Sequence, residues 1–133
     1  MTAFNRSHHM RRASSVLILL LATIASGLAS AGQCTASAKK TSYEIDGGDV
    51  LVEFDVSPRN CSSGCSGMVE YRLHYKSKNG KDHFYQGMER WRSNDGSEIA
   101  IVHKGYEGFC STSSLGPCRA RAVEVLKVSC YDR

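Results

Sequence analysis

Between Gly67 and Trp91 the chain alternates with a period of two. Val69, Tyr71, Leu73 and Tyr75 are separated by Glu70, Arg72, His74 and Lys76. This pattern belongs to a strand with one buried and one wet face. The run meets Lys78-Asn79-Gly80-Lys81 and resumes at Asp82. Asn-Gly is a strong hairpin signal, because a two-residue type I′ turn needs positive φ at both central positions. With Asn79 and Gly80 as that turn, Tyr75 faces Phe84, Leu73 faces Gln86, Tyr71 faces Met88 and Val69 faces Arg90. His74 then faces Tyr85, Lys76 faces His83 and Glu70 faces Glu89. The first set is expected to be core. The second is expected to form a polar face carrying Tyr85 and Trp91.

The rest of the chain is compatible with that hairpin. Val50, Val52, Phe54 and Val56 alternate with Leu51, Glu53 and Asp55. Short strands are expected at 41–45, 50–56, 68–76, 82–91, 98–103 and 119–131, joined by Gly, Asn and Asp turns. The last has apolar residues on both faces, so it is expected to be central or to carry a bulge near Glu124. No stretch has a useful helical period. The reading is all-β: a small antiparallel β-sandwich of six to seven strands stapled by three disulfides. Its expected core is Val52, Phe54, Val56, Val69, Tyr71, Leu73, Phe84, Met88, Ile99, Ile101, Leu126 and Val128.

The first 31 residues read differently. Arg11 and Arg12 precede the apolar run Val16–Ala25, and Ala29-Ser30-Ala31 has the form of a cleavage site. This is the plan of a secretory signal peptide, and the run is too short to span a bilayer. Residues 32–133 are then one disulfide-rich β domain, secreted to the extracellular space. The formal charge of +4 shrinks with the leader, since residues 32–133 hold 14 Lys+Arg against 13 Asp+Glu. No basic excess is left to support nucleic-acid binding.

All six cysteines, Cys34, Cys61, Cys65, Cys110, Cys118 and Cys130, follow the leader. An even count in a short secreted chain indicates disulfides. Antiparallel strands place Cys34, Cys61, Cys65 and Cys130 at one end of the molecule, and Cys110 with Cys118 at the other. The latter two are expected to pair. At the first end Cys34–Cys61 with Cys65–Cys130 is favoured, with Cys34–Cys65 and Cys61–Cys130 close behind, because Cys61–Cys65 would close a very short ring. Asn60-Cys61-Ser62 fits the glycosylation pattern, though a bonded cysteine in the middle makes it a poor acceptor.

Catalytic signatures are missing: there is no G-x-S-x-G, H-E-x-x-H or phosphate loop. The expected register sets His74 and His83 diagonally on one face, near enough to share a ligand, but His103 would have to arrive from another strand and no carboxylate is clearly placed to help, so neither metal nor cofactor is expected. Trp, Tyr and Arg are enriched in binding hot spots. The candidate binding residues are therefore Arg72, His74, His83, Tyr85, Trp91 and Arg92.

Two short stretches resemble known folds. Val69-Glu70-Tyr71-Arg72-Leu73, with Arg119-Ala120-Arg121-Ala122 later, looks like the middle of a fibronectin type III or immunoglobulin-like sandwich. Gly105-Tyr106-Glu107-Gly108 after Ile99–His103 is similar to the folded hairpin of βγ-crystallins. The functional expectation is a secreted, non-enzymatic binding protein acting as ligand, effector or modulator of an extracellular or cell-surface protein. The alternative is a protease inhibitor or antimicrobial toxin that uses the 104–117 loop.

Overall fold

The computed structural model describes residues 33–112 and 117–133. The expected leader and its cleavage site lie outside them. Among the described residues there are six strands: β1 (Thr35–Asp46), β2 (Asp49–Arg59), β3 (Cys65–Lys76), β4 (Asp82–Ser93), β5 (Ile99–Tyr106) and β6 (Arg119–Asp132). One short helix, α1 (Gly108–Thr112), follows β5. No described helix is long and apolar enough to cross a membrane.

The strands form two antiparallel sheets, ordered β1-β2-β5 and β4-β3-β6. The chain crosses between sheets after β2, β4 and β5. This is the two-layer exchange that the sandwich resemblance implies. The folded-hairpin resemblance fails. Strand β5 runs on to Tyr106, and the Glu107 amide donates to the Gly48 carbonyl at 2.6 Å, carrying the chain into α1.

Alternation decides which residues meet between the sheets. Val50, Val52, Phe54 and Val56 of β2 pack against Val69, Tyr71 and Leu73 of β3, all buried. Ile99, Ile101 and Val128 pack at the margin of this core. Phe84, Met88 and Leu126, expected inside, are instead exposed by 58%, 54% and 37%.

The cause for Phe84 and Met88 is the β3–β4 turn. The Gly80 amide donates to the Ser77 carbonyl at 2.9 Å, and the Ser77 amide to the Lys81 carbonyl at 3.0 Å. Gly80 has φ +81°, while Asn79 does not enter the left-handed region. Lys78 and Asn79 thus form an ordinary turn, and Gly80 supplies the left-handed residue of a three-residue loop. Tyr75 pairs with His83, Leu73 with Tyr85, Tyr71 with Gly87 and Val69 with Glu89. This differs from the expected register by one residue, and such a slip moves every β4 side chain to the other face. The two-residue turn with left-handed φ at both positions occurs instead at Gly47-Gly48, between β1 and β2.

Strand β6 lies at a sheet edge, so its two-sided apolar pattern does not mark a central strand. Its pairing with β3 shifts twice, leaving Arg121 and Leu126 as extra residues. The bulge at Leu126 turns that side chain outward and brings Val123, Val125 and Val128 to the core.

The cysteines divide between the two ends as expected, with Cys110 bonded to Cys118. At the other end both expected pairings are wrong. Cys34 bonds Cys130, and Cys61 bonds Cys65. The short ring is accessible because the segment turns sharply: Asn60 and Gly64 are both left-handed, and the Gly64 amide donates to the Cys61 carbonyl at 3.3 Å. The sulfurs of Cys34, Cys61 and Cys65 lie within 4.8 Å of one another. Proximity to that end therefore could not select a partner.

Candidate functional site: the outer face of the β4-β3-β6 sheet

The register divides the six candidate binding residues. Arg72, His74 and Arg92 point away from the sandwich. His83, Tyr85 and Trp91 point into it or along its rim, so the expected single polar and aromatic face does not form. Trp91 is only 3% exposed and belongs to the core cluster. The His83 ring stacks on Tyr75 at 5.4 Å and meets Phe109 of α1 at 4.5 Å.

Tyr85 closes the seam between β4 and β5. Its hydroxyl lies 3.1 Å from His103 Nε2, and His103 Nδ1 lies 3.1 Å from Glu89. Gly105 makes the room, since a Cβ there would fall 2.2 Å from the Tyr85 hydroxyl oxygen. A hydroxyl, an imidazole and a carboxylate in sequence invite comparison with a nucleophile relay. The electrostatics run the other way. Burial, and then the charge of Glu107, push the Tyr85 hydroxyl pKa up, whereas a nucleophile needs easier ionisation. The trio links β4 of one sheet to β5 of the other.

Outside, the sheet presents a different set of residues. Phe84, Met88 and Tyr131 are each more than half exposed. Phe84 and Met88 face outward because β4 is shifted by one. Tyr131 projects from β6 on the same face but level with Ser66 and Arg92, at the opposite end of the sheet from Phe84, which is level with His74. Charged side chains hold part of this face in place. Glu124 receives both Arg72 at 3.8 Å and His74 at 3.5 Å. The Arg72 guanidinium lies 4.9 Å from the centre of the Phe84 ring. Such a cation over an aromatic face pre-orients both groups.

Toward the Cys61–Cys65 end the balance changes. A shallow cleft of about 560 Å³ is lined by Ser66, Gly67, Met68, Arg90, Trp91, Arg92 and Tyr131. It brings together Trp91 and Arg92 of the candidate set, with Trp91 contributing only its small exposed edge. Among the described residues neither Arg90 nor Arg92 has a carboxylate within ion-pair distance. The face is thus apolar and aromatic with unpaired arginines at one end. Such a surface can accept a protein side chain against Tyr131 and Met68 and a carboxylate against Arg90 or Arg92.

Sequence reasoning missed Phe84, Met88, Arg90 and Tyr131. One signal pointed to the three on β4, and none to Tyr131. Gly87 stands opposite Tyr71, and a Cβ there would fall 2.4 Å from the Tyr71 ring. A glycine inside a strand marks close approach, so Gly87 belongs on the crowded inner face, with Phe84 and Met88 outside.

No family model matches this chain, and no curated protein matches it. Among solved structures it is similar to the X-ray structure of a Northeast Structural Genomics Consortium target. That likeness has 14% identity over 76% of this chain and 87% of the other, with a TM-score of 0.26.

Proposed function

We propose that the chain is a secreted, non-enzymatic binding protein that docks an extracellular or cell-surface protein through the outer face of the β4-β3-β6 sheet. The observation carrying this reading is a row of exposed side chains along the outer face, from Phe84 through Met88 to Arg90, Arg92 and Tyr131, with no ion-pair partner for either arginine among the described residues. A sheet face with only solvent to cover it normally carries polar residues in alternation. Large apolar groups beside arginine are the composition of an interface core. Six cysteines joined in three disulfides suit an oxidising compartment. The partner surface complementary to this face is acidic with an apolar centre.

The inhibitor or toxin reading placed its active element at 104–117. Residues 104–106 belong to β5, 108–112 form α1, and Cys110 is tied back to Cys118. No observation favours that segment over the sheet face.

The test is capture of partners from extracellular fluid with the disulfide-bonded protein, followed by measured affinity for the captured protein. The double variant Phe84→Ala/Met88→Ala is expected to weaken binding by about 2 kcal/mol or more. Its melting temperature should stay near that of the parent, because both side chains are outside the core. Unchanged affinity in that variant and in Tyr131→Ala would place the docking surface elsewhere.

A further inference from the structure

The β3–β4 turn and the start of β6 enclose a second recess, of about 310 Å³. Lys76, Lys78, Arg119 and Arg121 line it, with Ser77 and Gly80 of the turn, and no carboxylate does. Among the described residues only Lys76 has an acidic partner, Asp82 at 3.2 Å, which is itself largely exposed. The sheet register sets Lys76 directly opposite Arg119. Like charges facing across a strand pair cost a sheet stability. The bulge adds to the concentration. Tyr75 pairs with Ala120 and His74 with Ala122, so Arg121 is the inserted residue, and its side chain joins Arg119 at the recess. Bulges are a device for re-aiming a side chain. The backbone there is anchored, because the Arg121 carbonyl accepts a hydrogen bond from the Tyr43 hydroxyl of β1 at 2.9 Å. Arg119 is therefore held by pairing with Lys76, and Arg121, unpaired in the bulge, by the Tyr43 hydrogen bond to its carbonyl.

We propose that this recess binds a tetrahedral oxyanion, a sulfate or phosphate ester. Arg119 and Arg121 supply forked N–H donors that match its oxygens, and Lys76 and Lys78 supply point charges. Four cations around one small recess suit a multiply charged anion better than a single carboxylate. The site goes beyond the docking reading and does not depend on it. It lies at the far end of β3 from the cleft of Met68, Arg90, Arg92 and Tyr131.

The experiment titrates the disulfide-bonded protein with inorganic sulfate, and separately with inorganic phosphate, at constant ionic strength. Backbone amide NMR shifts are followed. Saturable shifts confined to Lys76–Lys81 and Arg119–Arg121 are expected. Arg119→Ala/Arg121→Ala is expected to weaken binding by about tenfold or more, and Arg119→Lys/Arg121→Lys by less, since the charge remains while the fork is lost. The anion bound more tightly identifies the ester. Lys78→Glu, an exposed turn substitution, gives a second weakening variant should the double alanine variant fail to fold. Shifts that do not saturate, that chloride reproduces, or that persist unchanged in the folded variants would overturn the proposal.

Discussion

Trp91 illustrates how much a single residue's setting depends on its neighbours. It faces Gly67 across β3, and Gly67 has no space for a side chain: a Cβ would lie 1.8 Å from the Ser129 carbonyl oxygen and 2.8 Å from the Trp91 ring. The indole occupies that gap within the core. Trp91→Ala is therefore expected to cost about 3–5 kcal/mol of stability, read by urea unfolding, rather than to act as a surface truncation. A variant as stable as the parent would contradict this packing. Tyr75 has a different vulnerability. Burial, and then the charge of and a hydrogen bond with Glu107, push its hydroxyl pKa up to about 12 from 10.0. The folded state therefore holds the proton more tightly than the unfolded chain. This contribution is complete below pH 10 and is lost as pH rises toward 12. Tyr75→Phe should remove that part of the alkaline destabilisation, measured as a smaller fall in unfolding free energy over the same window. An identical fall in both proteins would show that Tyr75 does not control it.

At the scale of elements, six strands were legible but not all their bounds, since β1 starts at Thr35 rather than at the expected residue 41, and one register was not legible. Alternation in β2 and β3 is strong enough to name Val52, Phe54, Val56, Val69, Tyr71 and Leu73 as core, and all six are buried. In β4 both faces carry large side chains, so alternation alone assigns neither to the inside. The decision passes to the turn, where Asn79-Gly80 suits a two-residue loop and a three-residue loop ending in left-handed glycine equally well. That ambiguity moved Tyr85 and Trp91 to the wrong face and hid Phe84 and Met88. In β6 the bulges at Arg121 and Leu126 break the period twice, which makes its apolar residues look two-sided. The observed turn makes a specific claim about Gly80. Nothing lies within 4 Å of a Cβ placed there, so Gly80→Ala meets only the backbone penalty of φ +81°. A loss of about 1–2 kcal/mol is expected in thermal or urea unfolding, while Asn79→Ala should act by a different route, through loss of the hydrogen bonds its Oδ1 accepts from the Ser77 hydroxyl and the Lys81 amide. A Gly80→Ala variant as stable as the parent would mean that Gly80 does not hold the left-handed position of this turn.

At the scale of the whole molecule, the sandwich has two seams where its sheets meet edge to edge. The β4–β5 seam is held by Tyr85, His103 and Glu89. The β1–β6 seam is held by the Tyr43 hydrogen bond to Arg121 and covalently by Cys34–Cys130. Strand direction alone located the two cysteine-bearing ends, but it could not resolve bonds among four cysteines gathered at one of them. The bonds that form differ greatly in span: Cys34 and Cys130 are 96 residues apart, and Cys61 and Cys65 only 4. A crosslink restricts the unfolded chain in proportion to the logarithm of the loop it closes. Loss of the long link is expected to cost about 4–5 kcal/mol, and loss of the short one about 2. Cys34→Ala/Cys130→Ala should therefore unfold at much lower urea than Cys61→Ala/Cys65→Ala. Hydrogen exchange in the first variant should quicken first along β1 and β6, because their seam loses its covalent tie while the β4–β5 link is untouched. Equal destabilisation by the two pairs, or early exchange at β4 and β5 instead, would mean that Cys34–Cys130 does not hold the sandwich closed.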